Sequence, residues 1–273
     1  MFRWVLLSAL FASRIYARTT VPIHVTPAAS ISEPVLPSFV SFSIEFVFFP
    51  DFAGNSSAPN LFSLNLLRNL GSIQGSNPII RVGGNTQDYA LYNASLPVAT
   101  RGIFNYNQSE DYPTTITIGP SFFDSYSTWP NTTFIHGFNL AKNGSVGLDS
   151  LLATVPLACK ALEGGKLAYW ELGNEPDLYK TSPQGVVRPA SWNEQDYVDE
   201  WVGKSRTIEF VMAQTCPDLA NHKWIAPSFA GTSNSLDPII TWQDGLDPDG
   251  NIALISSHKY VPSNANPYMS STN

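Results

Sequence analysis

The chain has 273 residues, with 15 Lys or Arg against 22 Asp or Glu and a formal net charge of −7, which excludes the basic face that a nucleic-acid binder needs to neutralise phosphates. Charged residues make up only 14% while hydrophobic residues reach 43% and aromatics 12%, too apolar for a disordered chain and ample for a large core. The length suits a single α/β barrel domain, roughly 250 residues, better than a single sandwich.

Met1–Ala17 reads as a secretory signal peptide: a cationic start at Arg3, an apolar run from Trp4 to Ala12 and a small residue at the cleavage point. That run is shorter than the roughly 20 residues of a membrane span, and no later stretch is expected to be long enough, so a secreted, extracellular protein with no membrane partner is expected. Residues 18–38 form an amino-terminal segment in which Val21–Thr26 alternates like a short strand, and 39–273 form the main domain.

From Phe39 short runs of Val, Ile and Phe alternate with longer runs whose apolar residues recur three and four apart. The predicted order is strand 39–46, helix 60–70 with Leu61, Leu64, Leu67 and Leu70 on one face, strand 78–82, a long loop over 89–120 and a short helix over 121–128. It continues with strand 133–139, helix 148–162, strand 167–172, helix 194–214, strand 223–226, helix 236–245 and strand 252–257. Six strand-helix alternations require a parallel sheet with helical crossovers, because parallel neighbours need connections of about a dozen residues or more.

A doubly wound sheet and an eightfold (β/α) TIM barrel both satisfy that order. The barrel is favoured because polar residues recur where successive strands end: Glu45, Arg81 to Asn85, Asn139, Asn174 with Glu175, Ser228, and His258 with Tyr260. In barrels that rim carries the active site. Six of eight β/α units are present in this reading.

The strand Tyr169-Trp-Glu-Leu-Gly stops abruptly at Asn174 and Glu175. An amide and a carboxyl side by side can hold a sugar hydroxyl and deliver a proton to a glycosidic oxygen, the first half of a two-carboxylate hydrolysis. The bland alternative is a turn in which Asn174 caps a helix begun by Pro176. Neither a phosphate-binding Gly-X-Gly-X-X-Gly run nor a Gly-X-Ser-X-Gly elbow occurs, and His24, His136, His222 and His258 have no metal-site spacing, so no cofactor or metal is expected. Five Asn-X-Ser/Thr sequons, at Asn55, Asn93, Asn107, Asn131 and Asn143, fit glycosylation in a secretory pathway. Cys159 and Cys216 are read either as a disulfide or as buried free thiols.

Gly-Asn-Glu-Pro at the end of a fourth strand resembles the acid/base motif of the clan A glycoside hydrolases. Ser41-Phe-Ser-Ile-Glu-Phe46, Asn60 to Leu70, Pro78-Ile-Ile-Arg-Val-Gly-Gly-Asn-Thr-Gln-Asp88, Trp170 to Asp177 and Ser257-His-Lys-Tyr260 resemble glycoside hydrolase family 79, the β-glucuronidase and heparanase family, in its microbial β-glucuronidase branch. The resemblance implies a retaining exo-β-glucuronidase acting on glucuronide-bearing glycans. Glu175 would be the acid/base, Asn174 the partner of the sugar 2-hydroxyl and Glu45 an acceptor for sugar hydroxyls. Tyr260, Arg81 and His258 would support the nucleophile. The structural alternatives are a satisfied polar residue at a strand end for Glu45, a core aromatic with a wet hydroxyl for Tyr260, a buried ion pair for Arg81 and a hydrogen-bonded scaffold role for His258.

The resemblance also implies a nucleophilic glutamate at a seventh strand, yet the last glutamate of the chain is Glu209. The seventh and eighth strands and the family's carboxyl-terminal β-sandwich have no counterpart. The chain is therefore expected to be an inactive amino-terminal fragment with an open, apolar sheet edge. Other clan A glycosidases (arabinofuranosidase, xylosidase, glucanase) and a non-catalytic carbohydrate-binding pseudoenzyme are the alternatives.

Overall fold

The structure is a computed structural model that describes residues 36–182, 185–232 and 234–259. The predicted signal peptide, the predicted strand at 21–26 and Tyr260 lie outside the described residues. In chain order the regular elements are β1 (Phe42–Glu45), α1 (Phe49–Ala53), the short β2 (Gly54–Asn55) and β3 (Ala58–Pro59), α2 (Leu61–Gln74), β4 (Ile80–Gly83), β5 (Ala90–Tyr92), β6 (Thr100–Ile103) and β7 (Thr115–Ile118). They continue with β8 (Phe134–Phe138), α3 (Gly144–Leu162), β9 (Leu167–Leu172), α4 (Glu194–Thr215), α5 (Pro217–Ala220), β10 (Trp224–Phe229), α6 (Pro238–Gln243) and β11 (Ile252–Ser257).

Six strands form one parallel sheet in the order β1-β4-β8-β9-β10-β11. Within this sheet each strand lies beside the sheet strand that precedes it in the chain, so the winding never reverses. A doubly wound sheet requires a reversal of strand order, and the structure has none in this sheet. The sheet is not closed among the described residues, and both outer strands present apolar side chains to solvent: Phe42 on β1, Leu254 and Ile255 on β11.

Local chemistry sets the helix ends. Asn60 caps α2 by accepting from the Phe62 and Ser63 amides, and Gly75 closes it in the left-handed conformation that glycine adopts at no steric cost. Asn193 and Asp196 exchange hydrogen bonds in a capping box at the start of α4.

Four expectations change. The predicted helix face of Leu61, Leu64, Leu67 and Leu70 is only half buried: Leu64 and Leu67 are in the core, whereas Leu61 is exposed and Leu70 lines an open apolar groove with Phe42, Phe62 and Leu66. The reason is that α2 lies at the open β1 edge of the sheet. The predicted long loop at 89–120 contains a second sheet, β5-β7-β6, whose strands are too short and too polar for periodicity to separate from loop. The predicted helix at 121–128 is a 3-10 helix, Pro120–Ser127.

The fourth concerns length: α3 is long and apolar enough to cross a membrane by length and composition. Its buried face, Leu151, Val155, Ala158 and Leu162, instead belongs to the core. A disulfide joins Cys159 on α3 to Cys216 at the end of α4, the first of the two readings of these cysteines. Closing 57 residues restricts the unfolded chain, worth about 4 kcal/mol on the chain-entropy account.

Candidate active site at the carboxyl rim of the sheet

Parallel pairing brings the carboxyl ends of all six strands to one rim, because register along a parallel sheet keeps like ends together. Glu45 lies opposite Gly83, and Ser228 opposite Ser256, with Asn174, Glu175 and His258 following directly after β9 and β11.

Glu175 is held in an unusual backbone state, φ 49° and ψ 49°. This left-handed conformation costs a non-glycine residue about 1–2 kcal/mol and persists where surrounding contacts enforce it. Here the Glu175 amide donates to the Ser228 carbonyl at 2.8 Å, and the next residue, Pro176, opens a 3-10 turn anchored by Asp177. The Asp177 carboxylate accepts from the Ala230 amide at 2.8 Å and from Asn234 Nδ2 at 2.7 Å. The capping alternative thus holds only for Pro176: Glu175, not Asn174, occupies the cap position, and its side chain makes no capping bond. That side chain is 5% exposed as a residue and Oε1 lies 2.8 Å from His258 Nδ1.

Asn174 is fixed from three sides. Its amide N–H donates to Asp88 Oδ2 at 2.8 Å, its Oδ1 accepts from Arg81 Nη2 at 2.8 Å, and its Nδ2 donates to Asn85 Oδ1 at 2.7 Å. Arg81 in turn pairs through Nε with Glu171 Oε2 at 2.7 Å, and Ser228 donates to Glu171 Oε1 at 2.5 Å. Burial opposes the guanidinium charge, but Glu171, joined by Glu45 and Glu175, holds Arg81 above its ordinary value.

Asp88 is the second anchor. It accepts from the Leu140 and Asn174 amides at 2.9 and 2.8 Å and from the Tyr179 hydroxyl at 2.5 Å. Burial nevertheless pushes its carboxyl up to about 6. Tyr179 is backed by Arg188, whose guanidinium stacks over the Tyr179 and Trp192 rings and forms a forked pair with Glu200.

Glu45 is held by Thr86, whose amide and hydroxyl donate to Oε1 at 2.6 and 2.5 Å, and burial raises its carboxyl above the usual range. Gly84, at φ +97°, lies so close that a Cβ there would fall 2.5 Å from Glu45 Oε2. Glycine is required at this position both for the backbone angle and for the carboxylate.

The structure therefore brings Glu45, Arg81, Asn174, Glu175 and His258 to one rim. His258 meets Glu175 itself, and the first contact of Arg81 is the buried ion pair with Glu171. Sequence reasoning placed Asn85 at the rim without giving it a role, and missed Glu171 and Asp88 as parts of the site. The available signal was a charged residue inside the apolar strand Leu167–Leu172, where alternation places Glu171 and Trp170 on opposite faces. Glu209, the last glutamate of the chain, is remote from this rim in role: it accepts from Trp224 Nε1 and Asn251 Nδ2, both at 2.7 Å. The five sequon asparagines are all exposed. Among the described residues no group of three or more His, Cys, Asp or Glu is placed to hold a metal ion.

The chain is 64% identical over 228 residues to a beta-glucuronidase of Aspergillus niger, covering 84% of this chain and 42% of that protein. It is 57% identical over 241 residues to a beta-glucuronidase of Neurospora crassa, covering 86% and 43%. The chain thus spans less than half the length of these relatives. Among solved structures, a 4-O-α-L-rhamnosyl-β-D-glucuronidase from Fusarium oxysporum in complex with Rha-GlcA superposes with a TM-score of 0.62 at 28% identity, covering 83% of this chain and 45% of that one. No family model matches the sequence.

Proposed function

We propose that this chain carries the acid/base half of a secreted, retaining β-glucuronidase of glycoside hydrolase family 79, acting on glucuronide-bearing glycans. The observation that carries the reading is Glu175: a nearly buried carboxyl fixed in a strained backbone state at a strand end, paired with His258 and placed beside an amide whose orientation is locked. The likeness to two beta-glucuronidases over most of the chain supports the substrate class.

In this reading Glu175 protonates the departing glycosidic oxygen and later removes a proton from the attacking water. Asn174 donates from Nδ2 to the sugar 2-hydroxyl, and Glu45 accepts from another hydroxyl. The opposing nucleophilic carboxylate, and the β/α units that complete the six parallel strands into a barrel, belong to the whole protein rather than to the described residues. Secretion rests on the signal-peptide reading of Met1–Ala17 and on the exposed sequons.

The test is hydrolysis of aryl β-D-glucuronides by the whole protein and its Glu175→Gln variant. Loss of an acid costs about 10²–10⁴-fold, and the loss should be largest for alkyl leaving groups and smallest for nitrophenolate, which departs without protonation. Turnover of xylosides or arabinosides with none of glucuronides would overturn the substrate class, and an equal loss for every leaving group would overturn the acid role.

A further inference from the structure

Asp88 stands where four segments of the rim meet. Its Oδ1 accepts from the Leu140 and Ala141 amides at 2.9 and 3.4 Å, and its Oδ2 accepts from the Asn174 amide at 2.8 Å and the Tyr179 hydroxyl at 2.5 Å. The donors follow β8, β9 and the 3-10 turn after Glu175, while Asp88 itself follows β4. All four neighbours donate, and the three amides cannot reverse, so only the ionised carboxylate satisfies them together. A proton on Asp88 has one place to point. Tyr179 alone can turn from donor to acceptor, and the protonated Oδ2 is then a poor acceptor for the Asn174 amide.

From this we infer that Asp88 is a positioning residue for the reaction: as a carboxylate it holds the Asn174 backbone so that Nδ2 meets the sugar 2-hydroxyl, and protonation releases that hold. Asn174 Nδ2 carries two protons, of which one is committed to Asn85 Oδ1 at 2.7 Å. Asp88, Asn174, Glu175 and Tyr179 line one cavity, so the anchor borders the space beside the acid. Burial pushes the Asp88 carboxyl up to about 6, so the hold is present above that pH and is lost as pH falls through it. The other titratable groups around Asp88 are Tyr89 on its own segment, Tyr179, and Tyr197 on α4, and burial raises all three phenols. Arg188 and Glu200, paired to each other, back the Tyr179 ring. Lys142 lies over Tyr89, and Lys204 donates to the Leu140 carbonyl.

This inference deepens the glucuronidase reading and rests on it for the ligand. The experiment is equilibrium binding of methyl β-D-glucuronide and its 2-deoxy form, with the matching xyloside pair, to the whole protein carrying Glu175→Gln, between pH 4.5 and pH 8. The ratio of the 2-deoxy Kd to the parent Kd cancels every titration that both ligands share, the glucuronate carboxyl included. That ratio should be highest above pH 7 and fall about tenfold, the size of one hydrogen bond, as pH drops through about 6. Adding Asp88→Asn should hold the ratio at its low value at every pH. Adding Tyr179→Phe should move the fall to higher pH, because a donor that favours the charged carboxyl is gone. This second variant keeps the test decisive if Asp88→Asn does not fold. A ratio flat with pH while Asp88 is present, or a fall that survives Asp88→Asn and so belongs to His258 or Glu45, would overturn the inference. The same pH pattern with xylosides, and no binding of glucuronides, would keep Asp88 in its role and overturn the glucuronide reading.

Discussion

At the rim, Arg81, Glu171, Asn174 and Asp88 commit polar atoms to one another at 2.7–2.8 Å, while the interior beside the same strands is built ring against ring. There Phe49 meets Tyr126 at 4.7 Å and Tyr126 meets Phe134 at 5.0 Å between centroids. Trp129 Nε1 and Trp201 Nε1 have no hydrogen-bond partner among the described residues. One region is held by direction and the other by volume. Rim contacts specify which atom of each side chain meets which neighbour, and ring contacts specify only that space is filled.

The two regions also treat their titratable groups alike for opposite reasons of charge. Burial raises the acid Asp88 to about 6 and lowers the base His136, bonded to the Tyr126 hydroxyl at 2.6 Å, to about 3. In both, a low-dielectric setting favours the neutral form.

The largest expected effect separates direction from volume. Arg81→Met leaves Glu171 buried without its partner and should cost about 3–5 kcal/mol, and adding Glu171→Met should recover most of that, because the pair's Coulomb gain mainly offsets its own desolvation. Phe49→Ala should cost a similar 3–5 kcal/mol through its cavity, and no second truncation should restore it. Urea unfolding of the three variants checks this; a double variant no more stable than Arg81→Met would break the comparison.

A second effect, about 3 kcal/mol, concerns pH. The Asp88 carboxyl rises from 3.8 to about 6 on folding, so its contribution to stability is full below 3.8 and is lost as pH rises through about 6. The deficit of Asp88→Asn relative to the parent should therefore shrink between pH 4 and pH 6. His136 falls from 6.5 to about 3, so its contribution is full above 6.5 and is lost as pH falls toward 3. The deficit of His136→Gln should accordingly grow over the same rise in pH. Thermal unfolding at matched ionic strength measures both, and slopes of the same sign would refute the shared neutral-form argument.

The smallest effect lies outside both regions. Asn60→Ala removes the two bonds that cap α2 and should cost about 1 kcal/mol with no change in ligand binding, read from the shift in Tm. A change in binding would show that the open β1 edge communicates with the rim.

Much of the frame was legible in order along the chain. The strands Leu167–Leu172 and Ile252–Ser257 begin and end where the alternation of apolar residues predicts, and Asn174, Glu175 and His258 follow them as strand-end polar residues. The sheet at 89–120 was not legible, because strands of three and four residues carry too little periodicity to stand out from loop.

What the sequence by itself determined is the set of strand ends, since each depends on residues within a few positions of one another. Its parallel alternation also determined that those ends meet at one rim. Only the tertiary structure decided who meets whom there. Arg81 and Glu171 are 90 residues apart, Asn174 and Asp88 are 86 apart, and His258 and Glu175 are 83 apart. Such pairings depend on strand register and on buried polar groups finding their donors, and no local pattern records either.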